Sequence, residues 1–125
     1  MSRVKKDEGE LGERLASEFL KKLGYKIVTT NFRIRNGEID IIAIDNAKKE
    51  KSLVFIEVKT RKSTTFGTPF EAIGFYKLKA LTNAAQVYKF SHVGVPNLLR
   101  IDAIAITLNS HDEVINLEHI KNITG

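Results

Sequence analysis

Hydrophobic residues near the N-terminus recur at the spacing of an amphipathic helix. Between residues 8 and 23 the apolar positions fall three or four residues apart, so that they line one face of a helix. Gly24 is a typical residue to end it. The apolar stripe comprises Leu11, Leu15, Ala16, Phe19, Leu20 and Leu23.

Three stretches rich in Ile, Val and Phe come next, and each has the composition of a β-strand. Asn36-Gly37, a strong hairpin signal, separates the first two stretches, and a polar connection separates the second from the third. This succession predicts an antiparallel meander of three strands. The three strands are expected at residues 25–34, 38–44 and 53–60.

The second half of the chain reads as a helix followed by strands. Thr68-Pro69 combines an N-cap residue with proline at the first helical position, and the helical pattern continues to about Phe90 with a candidate break at Gly74. Apolar residues 98–108 predict a fourth strand, and residues 114–120 a short fifth strand at an edge. A strand, a helix and a further strand imply a crossover, so the fourth strand should run parallel to the third. We therefore expect one α/β domain over residues 1–125, with a mixed central sheet flanked by helices.

Two of the predicted strands carry charged residues where apolar ones would pack better. Asp40 lies inside the apolar run of the second strand, and Glu57 and Lys59 project from the same face of the third. If these strands pair, two carboxylates and one ammonium converge. Incompletely paired buried charge is costly, whereas Mg²⁺ or Mn²⁺ held by Asp40 and Glu57, with Lys59 acting on water or on developing charge, would suit phosphodiester hydrolysis. The structural alternative is a salt bridge between Glu57 and Lys59 on a solvated face.

Three further positions allow both a functional and a structural interpretation. Glu13 lies beside the apolar stripe of the first helix, where it is either exposed or reaches over the sheet toward a metal. Lys77 interrupts the apolar face of the second helix, so it either extends its ammonium to the surface or enters the site to bind phosphate. Arg100 and Asp102 share a face of the fourth strand, and we interpret them as a structural ion pair.

The distribution of charge favours a polyanionic partner. The formal net charge is +5, and from residue 59 to residue 89 there are six basic residues against the single acid Glu71. This excess predicts nucleic-acid contacts at Arg61, Lys62, Lys77 and Lys79, and it favours DNA over RNA as the partner. The chain has no cysteine, its three histidines lack zinc-ligand spacing, and neither a leader nor a membrane-spanning run is present, so a cytoplasmic protein without zinc is expected.

The residues above resemble a known group of enzymes. A glutamate on the first helix, then Gly-Glu-Ile-Asp (37–40), then Phe-Ile-Glu-Val-Lys-Thr-Arg (55–61) resembles the PD-(D/E)XK nuclease superfamily. Over nearly its full length the chain is similar to the YraN-like family of predicted bacterial endonucleases, and its arrangement also resembles archaeal Holliday junction resolvases. Further matching segments are Gly12-Glu13, Gly24-Tyr25, Asn31-Phe32-Arg33, Phe66-Gly67-Thr68-Pro69, Lys77 and Arg100-Ile101-Asp102.

The resemblance implies a restriction-endonuclease-like αβββαβ core. It implies a metal held by Asp40, Glu57 and the backbone carbonyl of Val58, with Lys59 as the catalytic lysine and Glu13 as the helix-borne acid. Ile39 stands where the superfamily signature has proline. The leading hypothesis is therefore a metal-dependent DNA endonuclease, with branched or junction DNA as a candidate substrate. If the protein acts as a resolvase, we expect a homodimer, since paired cuts need two active sites. The alternatives are a non-catalytic nucleic-acid-binding module that keeps this fold and a protein-interaction scaffold.

Overall fold

A computed structural model describes residues 3–63 and 74–124, and within them the chain alternates helices with strands. The first helix is followed by three consecutive strands, and the second helix by two more. The elements are α1 (Arg3–Lys22), β1 (Lys26–Ile34), β2 (Gly37–Asp45), β3 (Ser52–Lys62), α2 (Phe75–Ser91), β4 (Leu98–Leu108) and β5 (Val114–Ile120).

The strands form one mixed sheet in the order β1-β2-β3-β4-β5. The first three strands pair as an antiparallel meander. The crossover through α2 returns the chain to lay β4 parallel to β3, and β5 adds an antiparallel edge strand. The predicted α/β class, the meander, the parallel fourth strand and the edge position of β5 are all confirmed.

Each face of the sheet has its own hydrophobic core. Ala16 and Leu20 of α1 pack on Ile41 of β2 and Ile56 of β3 on one face. Leu81, Ala84, Ala85 and Tyr88 of α2 pack on the other. Because strand side chains alternate between faces, β3 contributes Val54 and Ile56 to the α1 side and Leu53 and Phe55 to the α2 side.

Several element boundaries differ from the sequence prediction. The first helix begins at Arg3 rather than at residue 8, and β3 continues to Lys62 because its unbroken pairing with β4 reaches Lys62 opposite Leu108. Gly74 is extended and caps a helix that begins at Phe75, so it precedes the described helix rather than breaking it. The predicted start at Thr68-Pro69 lies outside the described residues.

The hairpin between β1 and β2 forms as predicted, but its glycine serves a different purpose. Gly37 already pairs with Ile34 as the first residue of β2, and it does not have the positive φ that an Asn-Gly turn would lead one to expect. A β-carbon at this position would lie 2.8 Å from the Ala80 carbonyl oxygen of α2. The glycine therefore allows α2 to pack closely against β2.

Candidate active site

Asp40 lies where β2 separates from β3. Regular pairing of the two strands ends with Ile41 opposite Ile56, and the next backbone N–H of β3 on that side, from Val58, donates to Asp40 Oδ2 at 2.8 Å. Ile39 and Ile41, which would share a face in a regular strand, join opposite cores, so β2 is irregular at Asp40. A carboxylate thus occupies the place of a backbone partner and is held in position by the strand it faces.

Glu57 reaches the same gap from β3. Its side chain lies within hydrogen-bonding reach of Asp40, and the residue is only 7% exposed. Lys77 Nζ of α2 is 3.2 Å from Glu57 Oε2. That approach is close enough for an ion pair but is not aligned as a hydrogen bond, so Oε2 is one of two buried side-chain oxygens without a hydrogen-bond partner among the described residues.

The closeness of the two acids changes the protonation of Glu57. Burial disfavours its charged form, and the adjacent Asp40 carboxylate adds repulsion, so that the pKa of Glu57 is raised from 4.5 to about 8. Lys77 opposes this rise without cancelling it. The pair therefore retains a proton near neutral pH unless a further positive charge is supplied.

Glu13 approaches this region from α1, on the other face of the sheet. The helix packs so closely here that a β-carbon on Gly12 would overlap the Thr60 hydroxyl of β3. Glu13 is partly buried, and burial followed by repulsion from Asp40 raises its pKa, while a hydrogen bond with Asn31 lowers it. Asn31 lies in one of the segments that match the resembled family, but the sequence assigns it no role; it holds a positive φ of 54° in β1. Apart from that resemblance, its sequence signal is an amide-bearing residue inside a predicted strand.

The donor set matches the preference of a hard divalent cation. No group of three or more His, Asp and Glu side chains close enough to hold an ion occurs within residues 3–63 and 74–124. Asp40 and Glu57 do come together, and the carbonyl of Val58 faces the gap because a strand residue directs its N–H and C=O to the same side. Mg²⁺ commonly uses one or two carboxylates with water and substrate oxygens completing its shell. A buried glutamate whose pKa is raised by burial and by the neighbouring Asp40 carboxylate, and whose Oε2 accepts no hydrogen bond, fits such an ion.

The predicted cations are placed unequally around this pair. Lys59 shares the face of Glu57, because β3 pairs with β4 without interruption between them, and it is exposed. The cation that contacts Glu57 is Lys77 rather than Lys59, so the simple salt bridge between Glu57 and Lys59 does not form. Lys62 pairs with Asp112 at 2.7 Å, and Arg61 continues the strand beside it.

Lys79 is not brought to the carboxylates. It follows Lys77 by two residues, which turns it by about 200° around α2, and it is exposed on the side facing away from the sheet. Of the four predicted nucleic-acid contacts, Lys77 is the one whose described ion pair is with the carboxylate pair.

A family model described as "Uncharacterised protein family UPF0102" matches residues 12–106. The chain belongs to this family. A UPF0102 protein of Caldicellulosiruptor saccharolyticus is 41% identical over 118 residues, covering 94% of this chain and 97% of the relative. One of Renibacterium salmoninarum is 40% identical over 121 residues, covering 97% and 98%, and one of Geotalea daltonii is 43% identical over 114 residues, covering 91% and 86%.

A second polar cluster in this UPF0102 chain lies toward the other end of the sheet, under the C-terminal end of α1. Arg100 donates from Nε and Nη2 to Asp102 at 2.9 Å and from Nη1 to Asp45 at 2.9 Å. It also reaches the Tyr25 hydroxyl at 2.8 Å, and His119 Nε2 lies 2.8 Å from Asp102 Oδ2. Burial disfavours ionised Asp102, but its hydrogen bonds to His119, Arg100 and the Asn122 N–H lower its pKa overall.

This second cluster extends the predicted Arg100–Asp102 ion pair into a five-residue network. Tyr25, Asp45 and His119 come from three other segments, and no spacing in the sequence connects them. Its acids are saturated with donors, as expected of a structural network.

No helix in the described part of this UPF0102 chain is long and apolar enough to cross a membrane.

Proposed function

We propose that this UPF0102 chain is a metal-dependent endonuclease that hydrolyses phosphodiester bonds in DNA, with branched or junction DNA as the first substrates to test. The observation that supports this most is the adjacency of Asp40 and Glu57 in the gap between β2 and β3. A fold gains no stability from bringing two carboxylates together in a partly buried place. Their proximity is explained if they hold a cation at the scissile phosphate.

Each residue has a part in the proposed reaction. A bound Mg²⁺ or Mn²⁺ would neutralise charge on the phosphate and make water more acidic. Asp40 is kept in place by the Val58 N–H, so its oxygens need no rearrangement to serve as ligands. Glu57, paired with Lys77 in the free chain, would exchange that partner for the cation.

Lysines would act on the substrate side of the pair. Lys77, half-exposed and released from Glu57, would be free to bind a phosphate oxygen. Lys59 is on the same face and exposed, where it would orient or deprotonate the attacking water or stabilise the developing charge. Glu13, near Asp40 on the α1 side, would act from a second layer around the ligands.

A non-catalytic nucleic-acid-binding module is the second candidate. The observation that favours it is the ion pair between Lys77 and Glu57. The Lys77 ammonium and the retained proton together offset the negative charge of Asp40 and Glu57 without any metal. In that case the basic residues would still attract DNA, but the carboxylates would take no part.

Cleavage assays with matched variants separate the two candidates. Purified protein would be incubated with linear, flapped and four-way DNA in Mg²⁺, in Mn²⁺ and in chelator, and DNA binding would be measured separately by fluorescence anisotropy. We expect metal-dependent cleavage that falls at least ~100-fold in Asp40→Ala and Lys59→Ala while both variants keep DNA binding. Glu50→Gln, an exposed change in the β2–β3 connection, is the matched control and should cleave normally. Cleavage that survives in Asp40→Ala would refute the assignment, and binding without cleavage on every substrate would favour the module.

A further inference from the structure

The outer face of α2 carries large aromatic side chains that the sheet does not cover. Tyr76 is 84% exposed and Phe90 is 91% exposed, at opposite ends of the helix, and Val87 between them is 41% exposed. The inner face of the same helix is already used by Leu81, Ala84 and Tyr88 in the core. Large apolar side chains exposed along a helix that also has a buried side are typical of an interaction surface.

The outward-facing positions of α2 form a stripe that is symmetric about Asn83. It comprises Tyr76, Lys79, Asn83, Val87 and Phe90. Tyr76 and Phe90 each lie seven residues from Asn83, and Lys79 and Val87 each lie four residues from it. At about 100° per residue, all of these positions fall within roughly 60° of the direction of Asn83. A two-fold axis through Asn83 would therefore place Tyr76 against Phe90 of a second, antiparallel copy, and Asn83 against its own equivalent.

A concavity near one end of the stripe could receive the aromatic ring from the other end. A shallow cavity of about 770 Å³ is lined by Tyr76, Lys79, Ala80 and Asn83, among others. In the two-fold arrangement the ring of Phe90 from the second copy would lie over this cavity, and the same contact would be repeated on the other side of the axis. One chain thus supplies both a projecting side chain and its receptor, as an isologous interface requires.

Area and charge are both compatible with this pairing. Aromatic side chains bury ~150–250 Å² each. The four largely exposed rings of a dimer, Tyr76 and Phe90 from each copy, would therefore supply about half of the ~1,200–2,000 Å² of a stable interface, and the side chains between them can supply the rest. Lys79 is the single charged residue among the positions facing outward from residue 76 to residue 90. The two copies of Lys79 would be about 12 Å apart along the helices, beyond the ~8 Å screening length in physiological salt, and each would lie beside Val87 of the other chain.

We propose that the chain forms a homodimer through antiparallel pairing of the outer face of α2, with Asn83 on the two-fold axis and Phe90 as the main anchor. The assignment does not depend on the nuclease proposal, since Lys77 and its contact with Glu57 lie on the other side of the helix. Both carboxylate pairs would stay accessible in such a dimer.

Substitution of the anchor tests the interface in solution. Molecular mass would be measured by sedimentation and by light scattering over a range of protein concentrations. We expect a dimer for the unmodified chain and a dissociation constant raised at least ~30-fold by Phe90→Glu, with an unchanged circular dichroism spectrum because Phe90 is exposed. Ile115→Glu, a change at a 53% exposed position of edge strand β5, should leave the dimer intact. A monomer at all concentrations, or a dimer that Ile115→Glu dissociates and Phe90→Glu does not, would overturn the proposal.

Disulfide trapping tests the position of the axis, because the chain contains no cysteine. Packed helices approach to about 8–10 Å between axes, which allows Asn83→Cys to meet its equivalent at the Cα separation of ~4.4–6.8 Å that a disulfide needs. Gln86→Cys would be displaced from its equivalent by about 9 Å along the helices. We expect rapid covalent dimerisation of Asn83→Cys, little of Gln86→Cys, and loss of the cross-link when Phe90→Glu is added to Asn83→Cys. Equal cross-linking of the two cysteine variants would show that the proposed axis is wrong.

Discussion

Replacement of Glu57 by glutamine should make the folded chain more stable at alkaline pH, although Glu57 is a proposed ligand. Burial and the neighbouring Asp40 raise the pKa of Glu57 from 4.5 to about 8. Between these values the folded chain keeps a proton that the unfolded chain has lost, so the free energy of unfolding falls as the pH rises. Glutamine is nearly isosteric with protonated glutamate and cannot ionise, so Glu57→Gln removes this penalty.

The size of this loss of stability follows from the width of the pH range between the two pKa values of Glu57. Each pH unit between 4.5 and about 8 costs up to about 1.4 kcal/mol, which sets a ceiling near 5 kcal/mol for the whole range. Movement of the half-exposed Lys77 toward Glu57 would reduce the cost. Below pH 4.5 both states hold the proton and the variant should match the parent; above pH 8 the difference should be largest and constant.

Urea unfolding at a series of pH values from 4 to 9 measures this difference directly. Ionisable groups remote from Glu57 are common to both proteins, so their contributions cancel when the two curves are subtracted. Asp40→Asn provides an internal check, because it removes the repulsive part of the effect and should flatten the pH dependence of the parent. If the stabilities of the parent and Glu57→Gln run parallel from pH 5 to pH 9, the two carboxylates are not adjacent in solution and the proposed ligand pair is wrong.

Two further predictions test how the fold positions the site. Gly12→Ala should destabilise the chain by about 1–3 kcal/mol, since the added methyl overlaps the Thr60 hydroxyl. Gly9→Ala has open space and should instead stabilise helix α1 by ~0.5–1 kcal/mol. Thermal unfolding compares the two variants, and equal changes in stability would contradict the close packing of α1 on β3. Arg100→Met should lower the free energy of unfolding by roughly 3–5 kcal/mol, because it leaves Asp102 buried without its main partner. Since the pKa of Asp102 is lowered in the fold, the parent should lose this stabilisation only in acid, below pH 3.8. Urea unfolding from pH 2 to pH 7 measures both the loss of stability and its direction with pH.

The sequence predicted the fold well because its elements are encoded by local patterns. The stripe from Leu11 to Leu23, the apolar strands and the crossover length were enough for element order and for the parallel pairing of β3 with β4. The boundaries were less accurate where tertiary pairing overrides local preference, as at the C-terminal end of β3, which continues through Lys62 along β4.

The residues of the candidate site and the convergence of Asp40 with Glu57 were predicted from the sequence, but the strand irregularity that brings these two residues together was not. Charge inside an apolar run identified Asp40, Glu57 and Lys59, and helical periodicity marked Lys77 as unusual. No pattern in residues 37–43 indicates that the Asp40 side chain replaces a backbone partner of Val58, because a strand irregularity leaves the alternation of residue types almost unchanged. The same holds for His119, which meets Asp102 only through the register of β4 and β5.

Two of the buried acids of the sheet, Asp102 and Glu57, differ in how many donors they already hold, and only Glu57 is assigned to the proposed chemistry. Asp102 is fully buried, yet it accepts from Arg100, His119 and the Asn122 N–H, and its pKa is lowered. Glu57 is almost as buried, but one of its oxygens has no hydrogen-bond partner among the described residues and its pKa is raised. A structural carboxylate is expected to be saturated with donors, whereas a ligand must keep an oxygen free for an ion. Burial alone therefore does not distinguish the two residues; the number of donors that each carboxylate already holds does, and it assigns Arg100 and Asp102 to the framework and Asp40 and Glu57 to the proposed chemistry.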